Sequence, residues 1–278
     1  MPKGIMMKFL NSYLLSLILT FSTILPQGSA GSEASIEYSN LIDMPTAGVL
    51  KKGNVGTSFY LMPEGVVIGK IEVGVFKGFS FGISYGAANF IGVGTPDWYK
   101  LPGVNVKINL LEETETLPAF TLGFESQGKG KFYKRLSDYG LLKEGTEDIE
   151  VNRFKIKSPG FFIASSKNFQ FIGFLTLHGC ISYSLERDDH DKDLNLLVGA
   201  EKTLGSQLSL IAEFDFSMND NGKYSFGDGQ GYFNAGIRWS PGDGFTIGFD
   251  LRDLFSNKKL NPGAADRALK VEFIKPIF

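Results

Sequence analysis

The sequence predicts an all-β fold: a closed antiparallel transmembrane β-barrel of about twelve strands, with short periplasmic turns and longer extracellular loops. Three observations predict it. After residue 30 the chain alternates apolar and polar residues with period two, in segments near ten residues long. The connections between these segments alternate short and long. No stretch after residue 30 approaches the roughly 18 consecutive apolar residues of a membrane-crossing helix, although the chain carries 25 Phe and 34 Gly.

Residues 1–30 read as a cleavable signal peptide. Lys3 and Lys8 form a basic start, Phe9 to Leu25 is mostly apolar and uncharged, and Gly28-Ser29-Ala30 supplies the small residues of a cleavage site. The alternative is a retained membrane anchor. Asn11, Ser12, Ser16 and Thr20 interrupt the apolar run and Pro26 follows it, which suits a removed peptide better than a stable span. Removal leaves 248 residues with 26 basic and 30 acidic side chains, a net charge of −4. That balance, with no basic stripe, excludes general nucleic-acid binding. The single cysteine, Cys180, cannot form an internal disulfide and reads as inert filler on the lumen side.

The expected strands follow in order at 53–62, 66–76, 79–90, 104–112, 117–126, 158–166, 171–186, 193–203, 207–218, 230–240, 244–253 and 267–278. Residues 207–218 show the pattern. Leu208, Leu210, Ala212, Phe214, Phe216 and Met218 share one face, and Ser209, Glu213, Asp215 and Ser217 the other, with Ile211 the exception. In 231–240, Phe233, Ala235, Ile237 and Trp239 oppose Tyr232, Asn234, Arg238 and Ser240; in 244–253, Phe245, Ile247, Phe249 and Leu251 oppose Thr246, Asp250 and Arg252. The short links are Lys77-Gly78, 113–116, 167–170, 204–206 and Pro241-Gly242-Asp243; the long ones are 91–103, 127–157, 187–192, 219–229 and 254–266, with Pro63-Glu64-Gly65 as the short exception among them. Short turns on one side and long loops on the other are the outer-membrane barrel pattern. Closure follows because an open sheet edge in lipid leaves backbone groups unpaired, at several kcal/mol each. A water-soluble barrel or β-sandwich of the same strands is the alternative. The chain ends in Phe278, as many outer-membrane barrels end in an aromatic residue, but Glu272 and Pro276 share its parity where apolar residues are expected.

Before the first strand stands Asn40-Leu41-Ile42-Asp43-Met44-Pro45-Thr46-Ala47, followed by Gly53. Asp43, Met44, Pro45 and Thr46 read as a turn: Pro45 biases Met44 to an extended conformation, and Asp43 or Thr46 can bond nearby backbone. This N-terminal motif resembles that of YjbH-like outer-membrane proteins, a family linked to exopolysaccharide production or export. The resemblance covers residues 40–61 and implies a β-barrel associated with cell-surface polysaccharide. Residues 31–52 are expected to be a periplasmic or plug segment and 53–278 the barrel.

The wet strand faces should line the lumen. They carry Lys70, Glu72, Lys107, Glu125, Glu201, Glu213, Asp215, Arg238, Asp250, Arg252 and Glu272. Neighbouring strands are expected to bring Glu213 and Asp215 near Arg238, and Arg238 near Asp250 or Arg252. Mixed signs suit a ladder of ion pairs filling a narrow barrel; a solute-selecting polar path is the other reading. His178 lies on the inward face among Ser182 and Ser184, whereas a lipid hydrolase would want its triad at the lipid-facing surface, so a lipid hydrolase is the weakest functional class. The acidic cluster around His190, residues 187–192, reads as a solvated loop tip rather than a cation site. The loop 127–157 is expected to hold a short helix near 133–143, either folded inward as a constriction or facing outward.

No catalytic residue, cofactor or metal is expected. The expected partners are outer-membrane lipid, the barrel-assembly machinery, and polysaccharide or export components. The functional readings are a channel or accessory barrel for cell-surface polysaccharide or small solutes, a general small-solute pore, and, last, a lipid hydrolase.

Overall fold

The computed structural model describes residues 38–141, 147–259 and 265–277. The expected signal peptide (1–30), residues 31–37 and Phe278 lie outside the described residues.

In chain order the strands are β1 (Asn54–Met62), β2 (Val66–Phe76), β3 (Phe79–Ala88), β4 (Asp97–Trp98), β5 (Gly103–Leu111), β6 (Ala119–Glu125), β7 (Lys129–Arg135), β8 (Glu150–Ile156), β9 (Gly160–Gln170), β10 (Phe174–Tyr183), β11 (Asn195–Leu204), β12 (Leu208–Asp215), β13 (Tyr232–Gly242), β14 (Phe245–Arg252) and β15 (Asp266–Pro276). One short helix, α1 (Leu136–Tyr139), follows β7. All strands except β4, β7 and β8 form a twelve-stranded antiparallel barrel. β1 pairs with both β2 and β15, and β2 pairs in turn with β3, so the sheet has no free edge.

The pleat sorts side chains as period two requires. Phe59, Ile71, Phe81, Ile163, Leu177, Ile181, Leu210 and Phe249 are exposed on the outer face, while Ser58, Lys70, Lys107, Thr121, Thr176, Glu201 and Arg238 are buried on the inner one. A closed barrel with an apolar outer belt and a polar interior solves the bilayer problem, because every ladder group is paired within the ring and the belt meets hydrocarbon. The chain is therefore a bacterial outer-membrane β-barrel.

The structure departs from the sequence reading at β9, in loop 126–159, and in the expected loop 91–103, which holds the short strand β4. Strand β9 runs to Gln170, not 166, and the turn to β10 lies at 171–173. The expected link begins at Lys167, but the ladder continues through it: its ammonium donates to the carbonyls of Thr114, Glu115 and Leu117 in the β5–β6 turn. Within loop 126–159, β7 and β8 form a separate two-stranded hairpin around α1, which lies inside the expected helical stretch. The hairpin folds inward. Phe154 packs with Tyr60, Met62, Val66, Ile68 and Ala268 of the barrel's upper wall and with Tyr99 of the β4–β5 link.

Candidate functional site: an occupied lumen

Residues 38–50 lie inside the barrel. They run up and back as a hairpin loop, with Asn40 bridged to Pro45 and the Leu41 N–H donating to the Met44 carbonyl at 2.9 Å. The tight turn is thus Leu41–Met44, earlier than the Asp43–Thr46 turn read from sequence. Pro45 lacks a donor and sits on the returning arm, where none is needed. Thr46 closes the base, its hydroxyl donating to the Tyr38 carbonyl and accepting from the Gly48 N–H.

The wall is built around this peptide. At the tip, the Glu213 carboxylate accepts from three successive backbone N–H groups, those of Ile42, Asp43 and Met44, at 3.1, 3.0 and 2.9 Å. Asn234 orients it from the next strand at 2.8 Å. Lys107 answers the carbonyls, donating to Thr46 and Gly48 at 3.0 and 3.1 Å and also to Ser39. Arg238 donates to the Leu41 carbonyl at 2.8 Å, Thr121 to Ala47 at 2.7 Å, and the Ala47 N–H donates to the Ser166 hydroxyl at 3.0 Å. In this way the buried backbone of an irregular segment finds partners, as any buried backbone must.

An apolar patch completes the seat. Leu41, Ile42 and Met44 pack against Phe162, Ala164, Cys180, Leu197 and Ile211, all buried on the inner wall. Gly199 leaves the room: a Cβ there would lie 3.0 Å from the Met44 methyl and 3.1 Å from Leu41. Ile211, the break in the alternation of β12, is explained by this contact. So is Phe162, one of two successive phenylalanines on β9.

Above the tip, the hairpin β7–β8 covers the extracellular mouth as a lid. Arg153 is fully buried against Asp189 and Asp220 and stacks over Phe226, 4.1 Å to the ring centre. Lys157 pairs with Asp189 at 2.8 Å; Lys155 pairs with Glu64 and Asp266 at 3.3 and 3.2 Å. The Glu186 carboxylate accepts from the N–H groups of Phe154 and Ser158. Burial pushes the Glu186 carboxyl above its usual range. Residues 187–192 are therefore not simply a solvated tip, because Asp189 and Asp191 are buried. Plug and lid meet at Asp43, whose carboxylate accepts from Lys129 at 2.9 Å and from Arg252 at 2.8 Å; Lys129 also donates to the Ile42 carbonyl at 2.6 Å. The space left between plug and lid is about 50 Å³, lined by Asp43, Asp215, Asp220, Lys157, Arg252 and Lys258. Small-molecule sites begin at roughly 300 Å³.

Each residue singled out from sequence lies on the lumen side. Lys70 lies 3.3 Å from Glu72 and 3.4 Å from Glu125. Those acids also hold the plug, Glu72 accepting from Ser39 and Glu125 from Asn40. Arg238 pairs with Asp250, and Arg252 lies 3.8 Å from Asp250. Glu213 and Asp215 do not reach Arg238. The β12–β13 register sets Ser209 opposite Arg238, Asn234 opposite Glu213 and Tyr232 opposite Asp215. Asp215 instead accepts from Asn195 at 2.7 Å. A sixteen-residue loop, 216–231, joins these strands, so no tight turn made their register readable. Met44 and Thr46 of the motif are fully buried. Thr121, Ser166 and Lys129 were missed; each is an ordinary polar residue whose role depends on the plug's position. His178 Nδ1 lies 2.8 Å from Ser166 Oγ, beneath the plug and away from lipid.

No family model matches the chain, and no curated protein sequence matches it. Among solved structures it is similar to the KdgM porin, at 8% identity over 79% of this chain and 98% of that one, with a TM-score of 0.46. It is also similar to the Acinetobacter baumannii outer membrane protein Omp33 (9% identity, 79% and 96% covered, TM-score 0.42). A third similar structure is the NanC porin (8%, 81% and 99%, TM-score 0.39).

Proposed function

We propose that this barrel is an outer-membrane channel held shut by its own N-terminal segment and by an extracellular lid, and that it conducts when residues 38–50 leave their seat. The observation that carries the reading is Glu213 accepting three successive N–H groups of the plug tip. Such contacts can be exchanged for water when the peptide withdraws, so release leaves a polar, hydratable lumen rather than a collapsed apolar core. The cargo would be small solutes or polymer segments. No catalytic step, cofactor or metal belongs to this proposal.

The experiment is conductance in planar bilayers. The intact chain should be silent at low voltage, and the double variant Asp43→Asn/Glu213→Gln should show discrete steps. Steady current through the intact chain refutes the plugged-channel reading.

A second reading, an accessory barrel serving exopolysaccharide, draws on the resemblance of residues 40–61 to YjbH-like proteins. It gains if the folded double variant stays silent and if deleting the gene lowers surface polysaccharide.

A further inference from the structure

The loop between β3 and β5 stands apart from the other extracellular loops. Residues 89–96 carry no charge, and 89–98 are all exposed, including Phe90, Ile91, Val93 and Trp98. In the β10–β11 loop, by contrast, the exposed residues include Arg187, Asp188, Lys192 and Asp193. The apolar loop is nevertheless well anchored. Its first stem donates from Asn89 to Glu64 and from Phe90 and Ile91 to the Gly65 carbonyl, at 3.0, 2.9 and 3.2 Å. Its second stem is fixed by the Tyr99 N–H on Gly86 and by the Tyr99 hydroxyl on Gly130, while the Tyr99 ring is buried under the lid. Between the stems, Gly92 and Gly94 hold left-handed backbone at φ 135° and 125° with open space around them. Anchored stems therefore hold out a cluster of large apolar side chains, an arrangement that water alone does not favour.

The loop is continuous with the barrel's lipid-facing belt. Tyr85, on the outer face of β3, stacks on Trp98 with ring centres 5.7 Å apart and planes 9° apart, and Phe90 meets Trp98 edge-on at 5.8 Å. Tyr and Trp are the residues that settle where hydrocarbon meets headgroups. We infer that residues 90–98 form a membrane-immersed flap that lies in the outer leaflet at the headgroup–acyl boundary, extending the barrel's lipid contact beyond its strands. The occupant of this surface is lipid, because the patch of Phe90, Ile91, Val93 and Trp98 continues a lipid-facing surface, and Asp97 is the one charged residue among 90–98.

The test uses the full chain in phosphatidylcholine vesicles. The chain has two tryptophans, Trp98 and Trp239, so Trp239→Phe leaves Trp98 as the sole reporter. Lipids brominated near the headgroup end of the acyl chain should lower Trp98 emission by at least about twofold, and more than deeply brominated lipids do. Aqueous iodide should have little effect. In a variant that adds Phe90→Asp and Val93→Asp, the lipid quenching should fall and iodide quenching should rise, while heat-modifiable migration shows that the barrel is intact. If that variant fails to fold, the parent still decides the matter. Trp98 open to iodide and indifferent to brominated lipid overturns the inference. So does shielding that grows with protein density in the vesicles, which would make a second copy of the chain the occupant.

Discussion

Asp43 joins three parts of the molecule with one carboxylate: its own plug, the lid through Lys129 and the wall through Arg252. Removing its charge takes from Lys129 and Arg252 the carboxylate they share in a largely buried site. Breaking a buried pair in this way typically costs about 3–5 kcal/mol. Asp43→Asn should therefore loosen residues 38–50, seen as faster backbone hydrogen exchange there with the barrel strands unchanged; equal protection in both proteins would remove Asp43 from the latch. On the β12–β13 loop that holds the lid's Arg153, Asp220 gives a pH prediction. Burial opposes its charge, but the adjoining Arg153 guanidinium outweighs burial and holds the carboxyl below its usual range. A folded-state pKa below the unfolded value, which is near 3.9 for Asp, means the unfolded lid binds more protons in that interval. The contribution is complete above the unfolded value and disappears as pH falls through the folded one. The lid should thus stay closed at pH 5 and open only in strong acid, as read by protease cutting in 126–159; opening near neutral pH would contradict this. At this scale the sequence showed that Glu213, Arg238 and their neighbours face inward, because parity alone decides that. It could not show what they touch. Ile211 and Phe162 were the visible clue, apolar residues on a wet face that needed an apolar partner.

Among the elements, the strands that meet lipid were readable and those that do not were hidden. Each barrel strand contacts hydrocarbon on one side and a polar lumen on the other, and that asymmetry writes period two into it. Hairpin β7–β8 has no lipid face. Its residues, Lys-Gly-Lys-Phe-Tyr-Lys-Arg and Glu-Val-Asn-Arg-Phe-Lys-Ile, carry charge on both sides because they face lumen, loops and water. The hairpin pairs only with itself and shares no ladder with the barrel. Replacing 128–157 with a short Gly-Ser linker should therefore leave a heat-modifiable barrel. It should also leave conductance low, because the plug remains seated on Glu213, Lys107 and Arg238. Current should appear when the same deletion is combined with Glu213→Gln. A fully open pore from lid deletion alone would show that the plug does not seal.

At the scale of the whole molecule, the outer face must decide stability by depth in the bilayer. Phe249 sits midway along β14, between Ile237 and Leu269 on the adjoining strands. Phe245 opens the same strand next to the periplasmic turn at Asp243-Gly244. Both point outward, so in a water-soluble barrel an arginine at either place would be solvated and nearly neutral. In a membrane the midplane position has no water to offer a guanidinium, whereas the rim position lets it reach the headgroups. Phe249→Arg should lower the unfolding free energy in vesicles by about 2–4 kcal/mol and Phe245→Arg by about 0–1 kcal/mol. Reversible urea unfolding, followed by tryptophan emission and by the heat-modifiable band, measures both. The contrast between the two sites is the informative quantity, since the side-chain change is the same and only depth differs. Equal and small effects would mean that the belt meets water, and the membrane placement would fall with it.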